Sequence, residues 1–396
     1  MDALRNPYTP GAGTPPPALT GRDPELEQFA LLLGRLEIGR PEQSLLITGL
    51  RGVGKTVLLD AFEGIAIERG WFASSTEITS ETRLAKVIAT MTREALLDLR
   101  RMERVRDKAR RALSILKAFT ITTGVGVDIR LELDLEEGTA DSGDLGRDLG
   151  DLLVEVGSIA QEAERGVLFL LDEVQFLERA EFEALIAGMH RSTRRQLPIT
   201  VVGAGLPSLP KLAGEAKSYA ERLFTFPTIG ALSDPAARLA LVEPADEEDV
   251  RFTEDALDQI LRHSGRYPYF LQQYGKHAWL TGTDSVIDVG AVRRAHELVL
   301  SVLDTDFFHV RFERATPAEQ RYLAAVAVLG DGPQRSGDVT RQLGYTSTTE
   351  TGPIRDGLIK KGLIYSPRHG LVDFTVPLFA NFMRRQHPLA ELAPEL

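Results

Sequence analysis

The feature that most constrains this chain is the run Gly49-Leu50-Arg51-Gly52-Val53-Gly54-Lys55-Thr56, set between an apolar segment, Ser44 to Thr48, and a helical stretch, Thr56 to Arg69. Glycines at these spacings let backbone N–H groups curl around phosphate oxygens, and the N-terminus of the following helix adds positive potential. Such a loop needs a buried strand before it and a helix after it, so it commits the chain to alternating β and α elements. The flanking pattern has that alternation. A helical stretch runs from Asp23 to Leu36, and a short strand around Trp71 to Ser74 precedes a long helical region from about Thr82 to Lys117. A helix Asp144 to Glu164 leads to the apolar run Val167 to Leu171, and another strand follows at Ile199 to Val202. The reading is an α/β fold with a parallel sheet covered by helices.

The residue types in and around the loop define a chemistry. Lys55 places a point charge on β- and γ-phosphates, and the Thr56 hydroxyl can ligate Mg²⁺. Val167 to Leu171 ends in Asp172-Glu173, two carboxylates at the C-terminal edge of a buried strand, where ligands bind in an open α/β sheet. Asp172 would hold Mg²⁺, and Glu173 would polarise an attacking water. The expected ligands are ATP or ADP with Mg²⁺, held by Gly49, Gly52, Val53, Gly54, Lys55 and Thr56. The expected metal ligands are Thr56 and Asp172, and the expected activity is ATP hydrolysis through Lys55 and Glu173.

At 396 residues, 43% of them hydrophobic, the chain is long enough for two or three domains. Residues 1–18, rich in Pro and Gly, read as an extended N-terminal segment with order beginning near Leu19. The P-loop domain would span residues 19–228. Within it, odd positions from Phe119 to Leu135 are almost all apolar, a period of two that predicts a β-ribbon insert near residues 118–136. From Asp234-Pro235 the chain reads as several helices, a lid over residues 229–304. Thr316-Pro317-Ala318-Glu319 opens a third unit, residues 305–388, with a capping box; a tail of residues 389–396 follows. In that unit helices are expected at Thr316 to Leu329, Ser336 to Leu343 and Gly352 to Lys361, with short strands at Leu363 to Ser366 and Leu371 to Phe374: a winged helix.

Composition narrows the setting. The chain has no cysteine, which excludes disulfides, thiolate metal sites and cysteine nucleophiles, and its seven histidines show no metal-ligand spacing. The N-terminus lacks the apolar stretch of a secretory signal and no run is long enough to span a bilayer, so a cytoplasmic protein with no membrane partner is expected. A net charge of −11 repels a polyanion overall, so nucleic-acid contact would need a local basic patch.

The chain resembles the AAA+ and related STAND ATPases, particularly the branch containing archaeal and eukaryotic origin-recognition ATPases. The resemblance runs from Leu19 to about Pro388. Leu19-Thr20-Gly21-Arg22-Asp23 is similar to the Gly-Arg box that borders the adenine in that branch, which implies nucleotide roles for Gly21 and Arg22. Tyr219 to Phe224 resembles the segment carrying an arginine finger, which implies a catalytic role for Arg222 on a neighbouring copy. Ser264-Gly265-Arg266-Tyr267-Pro268 resembles the Gly-Gly-x-Pro turn of STAND proteins, whose proline borders the base; Pro268 matches, while Arg266 replaces the second glycine. Where the family often places a polar sensor, at the end of the strand Ile199 to Val202, this chain has Gly203-Ala204-Gly205.

Two readings of the winged helix stay open. As a DNA reader, its third helix would carry Thr348, Thr349 and Arg355 to bases, with Lys360, Lys361 and Arg368 near the phosphates of double-stranded DNA. In a STAND-like signalling or defence regulator it would pack internally and the partner would be a protein.

Overall fold

The computed structural model describes residues 1–11, 13–125, 139–283 and 285–392. Strands β1 (Ser44–Thr48), β2 (Phe72–Glu77), β3 (Val167–Asp172), β4 (Ile199–Gly205) and β5 (Phe224–Thr225) form one sheet. Its order is β2-β3-β4-β1-β5, and every pairing is parallel. β3 is buried from Val167 through Leu171, which explains its unbroken apolar run: a central strand covered on both faces has no polar side.

Helices α1 (Asp23–Glu37) and α2 (Lys55–Glu68) cover one face through Phe29, Leu33, Leu58 and Phe62. The other face packs on Leu84–Leu99, Arg106–Thr123, Leu145–Glu162 and Arg179–Arg194. Here the β-ribbon expectation is corrected at its start. Phe119 to Thr123 complete the helix Arg106–Thr123, with Phe119 buried and Ile121 exposed. Buried Ala109, Ala112, Leu113, Leu116 and Phe119 set a helical period that overrides the local alternation. The rest of the expected ribbon, residues 126–136, lies outside the described residues.

Asp234–Asp246, Glu254–Ser264, Pro268–Thr281 and Val289–Val302 form a helical unit, with Ser233 as the N-cap of the first. A π-helical turn, Leu303–His309, leads on to helices Pro317–Val328, Ser336–Gln342 and Thr348–Lys360 and a three-stranded antiparallel sheet. Its middle strand Leu371–Phe374 pairs with Ile364–Tyr365 and with Gln334–Arg335, a strand with no signal in the pattern. The third helix starts at Thr348, not Gly352. Ser347 and Glu350 make a reciprocal capping box, and this N-terminus prevails over proline punctuation at Pro353. One apolar cluster runs without a break from Tyr8 through Leu241, Phe270 and Phe308 to Phe382, so the helical unit and the C-terminal unit share a core.

The N-terminal segment departs from the expectation of order only from Leu19. Tyr8 is buried in that shared core, Trp279 Nε1 donates to Asp2 O at 2.8 Å, and Asn6 Nδ2 donates to Lys276 O at 3.0 Å. Proline stiffness lowers the entropy lost on docking such a segment.

Candidate functional site

The loop after β1 curls back on itself so that the buried Lys55 ammonium donates to Gly49 O at 3.0 Å and Leu50 O at 2.9 Å. Burial pushes the Lys55 pKa below the ordinary lysine value, while Glu173 and Asp172 pull it back up. Gly49 is required by close approach, because a Cβ there would lie 2.5 Å from Ile229 O. At the head of α2 the Thr56 hydroxyl donates to Asp172 Oδ2 at 2.6 Å. Burial raises the Asp172 pKa, opposed by that hydroxyl and by the Glu173 amide, which donates to Asp172 Oδ1 at 2.7 Å. A hydroxyl and a carboxylate this close are the hard oxygen donors that Mg²⁺ takes while keeping its waters and the nucleotide's oxygens, so Thr56 and Asp172 fit the ion.

Glu173 sits in the left-handed region, at φ 54, a strained conformation for a non-glycine residue that turns the chain sharply after β3. Its carboxylate pairs with Arg51 of the loop at 3.3 Å and accepts from Gln175 Nε2. Gln175 Oε1 in turn accepts from Leu206 N at 3.0 Å, beside Gly205, where a Cβ would come within 2.4 Å of that oxygen. The Gln175 side chain, from the sequence after β3, therefore fills the space beside Gly205 at the end of β4.

These groups open into a cavity of about 430 Å³. Gly52, Val53, Gly54, Lys55, Thr56, Glu173, Arg22 and Pro268 all line it. Gly49 contributes through its carbonyl, and Asp172 stands behind Thr56. Arg22 is buried and donates to Val53 O at 3.0 Å and Gly230 O at 2.8 Å, clamping the loop to the segment that leads into the helical unit. Gly21 serves packing: at φ 66, its Cβ would stand 2.6 Å from that of Ala236. Arg266 is exposed and lines a separate depression with Asp234 and Asp258. Arg222 lies exposed on the turn Ala220–Arg222 before β5, away from the cavity of its own chain.

The residues singled out for DNA divide into two groups. Thr348, Thr349, Lys360 and Arg368 are exposed. Lys361 is half-buried and pairs with Glu319 at 2.5 Å, and Arg355 pairs with Asp356 at 3.2 Å. Arg104 of the turn Glu103–Val105 and Lys108 of the helix Arg106–Thr123 are likewise taken up, by Glu164 and Glu162.

Sequence reasoning missed the other walls. Thr9, Pro10 and Thr14 of the N-terminal segment line the cavity, with Thr9 N donating to Gln272 Oε1 at 3.3 Å. Tyr269 N donates to Gly52 O at 3.2 Å. From the C-terminal unit come Phe307 and Arg311, and the Arg51 amide donates to Thr375 O at 2.8 Å. Apart from the proline and glycine content of the first segment, nothing local in the sequence signals these contacts.

A parallel sheet in this order, with a phosphate-binding loop after β1 and paired acids after β3, defines an AAA+ P-loop ATPase fold. Residues 18–202 match the AAA ATPase domain family. Residues 305–383 match a domain of unknown function (DUF8462). No curated protein matches the chain in sequence. Among solved structures, a Walker-type ATPase of Pyrococcus abyssi is 15% identical, with 92% of this chain and 96% of that chain covered and a TM-score of 0.53, a likeness of fold. The Aeropyrum pernix Orc1 protein, solved in complex with DNA, is 17% identical with 98% of each chain covered and a TM-score of 0.48. The Thermotoga maritima RuvB Holliday junction branch migration motor is 14% identical, covering 93% and 96%, with a TM-score of 0.44. Among the described residues no helix is long and apolar enough to cross a membrane.

Proposed function

We propose that this chain is an ATP-dependent switch of the origin-recognition-like and STAND-related kind, in which the AAA ATPase domain hydrolyses ATP slowly and passes its nucleotide state to a C-terminal winged helix. The observation that carries the reading is the hydrogen bond from the Arg51 amide, within the phosphate-binding loop, to Thr375 O at 2.8 Å. Through it a change in loop conformation on binding phosphate reaches the C-terminal unit directly. Lys55 and the loop amides would hold the phosphates, Thr56 and Asp172 the Mg²⁺, and Glu173 would orient the attacking water once released from Arg51. Mg²⁺ would supply charge neutralisation on the phosphate oxygens. Arg222, facing outward beside the edge strand, would act only on a neighbouring copy.

A second layer concerns the partner. The exposed Thr348, Thr349, Lys360 and Arg368 support a duplex-binding face on the third helix and the adjacent turn. The docking of the same unit on the loop supports a protein-partner regulator just as directly. Fluorescence anisotropy of a labelled DNA duplex in ATP, in ADP and with Lys55→Ala, at two salt concentrations, separates the two. Binding that strengthens in ATP, weakens with salt and vanishes in Lys55→Ala supports a nucleotide-gated DNA binder. Normal ATP binding without DNA binding in any state assigns the partner to protein. Absence of ATP binding by the wild type removes the switch itself.

A further inference from the structure

The cavity holds a cation that no part of the phosphate-loop motif accounts for. Arg311 follows the π-helical turn, inside the region that matches the domain of unknown function, and its side chain lines the cavity together with Arg51 and Lys55. The guanidinium lies over the Phe307 ring, 3.9 Å from the centroid, and its Nη1 donates to Phe307 O at 2.5 Å. These contacts fix its direction without neutralising it, and among the described residues it forms no ion pair. Phe307 stacks on Tyr269 with centroids 4.7 Å apart, and Tyr269 N donates to Gly52 O, so Arg311 is tied to the phosphate end of the cavity.

Charge at that end is unbalanced. Arg51 is paired with Glu173, Lys55 has only carbonyl partners, and Asp306 stands on the same wall as Arg311 without pairing with it. Burial and the nearby Arg51 push the Arg311 pKa down to about 10, as expected of a guanidinium facing other cations across little water. A half-buried, oriented and unpaired guanidinium calls for an anion, and its planar fork suits phosphate oxygens.

We propose that Arg311 is a nucleotide-binding residue contributed by the C-terminal unit, which contacts the terminal phosphate of bound ATP and so makes that unit a reader of ATP against ADP. The inference rests on the nucleotide reading above and adds the residue that senses the γ-phosphate. The alternative is a clamp, in which Arg311 merely staples the π-helical turn through Phe307.

Affinities for ATP, ADP and AMP, measured by calorimetry on the full chain, separate these roles in wild type, Arg311→Gln and Arg311→Lys, with the melting temperature of each nucleotide-free protein alongside. A lost charge-assisted contact predicts that Arg311→Gln weakens ATP about 10-fold to 100-fold while ADP and AMP change less than about threefold. Arg311→Lys should fall between wild type and Arg311→Gln for ATP. Equal weakening of all three nucleotides, or unchanged ATP affinity in Arg311→Gln, overturns the proposal. A wild type that binds no nucleotide removes the underlying reading as well, an outcome distinct from either.

Discussion

Tyr8→Ala tests whether the N-terminal segment is a wall of the nucleotide cavity. Tyr8 is 2% exposed, its hydroxyl donates to Leu241 O, and its ring meets Phe252 edge-on at 6.4 Å. It packs so closely on the helix Pro268–Thr281 that a Cβ at Gly275 would stand 2.5 Å from the ring. Truncating a buried aromatic ring to alanine costs about 3–5 kcal/mol, although a segment that can lift off loses no more than its own docking free energy. The remaining ties are the Asn6 and Thr9 hydrogen bonds and the one from Trp279 to Asp2 O, worth about 1 kcal/mol each, and the exposed Arg5–Glu248 pair, worth less. The variant's segment should therefore be undocked much of the time, and ATP affinity should fall about tenfold if the lost cavity wall is worth ~1.4 kcal/mol. Tyr8→Phe keeps the ring and gives up one bond of about 1 kcal/mol, so its segment should stay docked and its affinity should fall less than about threefold. Hydrogen exchange over residues 3–18 reports docking, and titration with a fluorescent ATP analogue reports affinity. Fast exchange combined with wild-type ATP affinity in Tyr8→Ala would refute the assignment of the segment to the site.

Arg266 holds φ 60, a left-handed conformation that costs a non-glycine residue about 1–2 kcal/mol, while glycine loses about 0.5–1 kcal/mol more backbone entropy on folding. Arg266→Gly should thus stabilise the chain by about 0.5 kcal/mol, and denaturant melting that shows a net loss would contradict the strain argument. The stacked pair His263 and His296, 4.0 Å apart, gives a pH dependence. Burial lowers both pKa values, His263 being lowered further by His296 and Arg262, and His296 by Arg385 against the opposing Glu297. The unfolded chain then binds these protons more readily than the folded one, so the contribution is full above the free-histidine value of about 6.5 and is lost as pH falls through the lowered folded values. Melting temperature should drop between pH 7.5 and 5.5, and less steeply in His263→Gln/His296→Gln; an identical slope would place the titration elsewhere.

The phosphate loop, the acids after β3 and the parallel sheet were legible because each is a local pattern. A glycine spacing fixes a turn, and an unbroken apolar run fixes a buried strand. Pro268 and Arg22 were singled out through resemblance; both line the cavity, and Arg22 clamps Val53 and Gly230 through their carbonyls. The walls of the cavity were not legible. Thr9 meets Gln272, Gly52 meets Tyr269 and Arg51 meets Thr375 across more than two hundred residues of chain, where periodicity carries no information. Proline and glycine in the first segment reported an absence of helix and strand, which is not an absence of docking. At Phe119 the alternation was read as strand because it continues through Leu135; up to Thr123 the helical period set from Ala109 onward decides the element.

The contacts between the loop and the C-terminal unit also bound what a nucleotide can do to this chain. Among the described residues, two backbone hydrogen bonds join the loop to the helical and C-terminal units, Tyr269 N to Gly52 O and Arg51 N to Thr375 O. At about 1 kcal/mol each, with a further charge-assisted contact from Arg311, they allow a coupling of roughly 1–3 kcal/mol, enough for a 5-fold to 150-fold bias. The shared core that joins the helical unit to the C-terminal unit, with Phe270, Phe308, Phe312 and Phe382 buried in it, would cost far more to open. Nucleotide exchange therefore lacks the free energy to release the C-terminal unit from the helical unit. On the proposed switch it would move the two together against the phosphate loop, and the hydrogen bond from Arg22 to Gly230 O is a contact that such a movement would change.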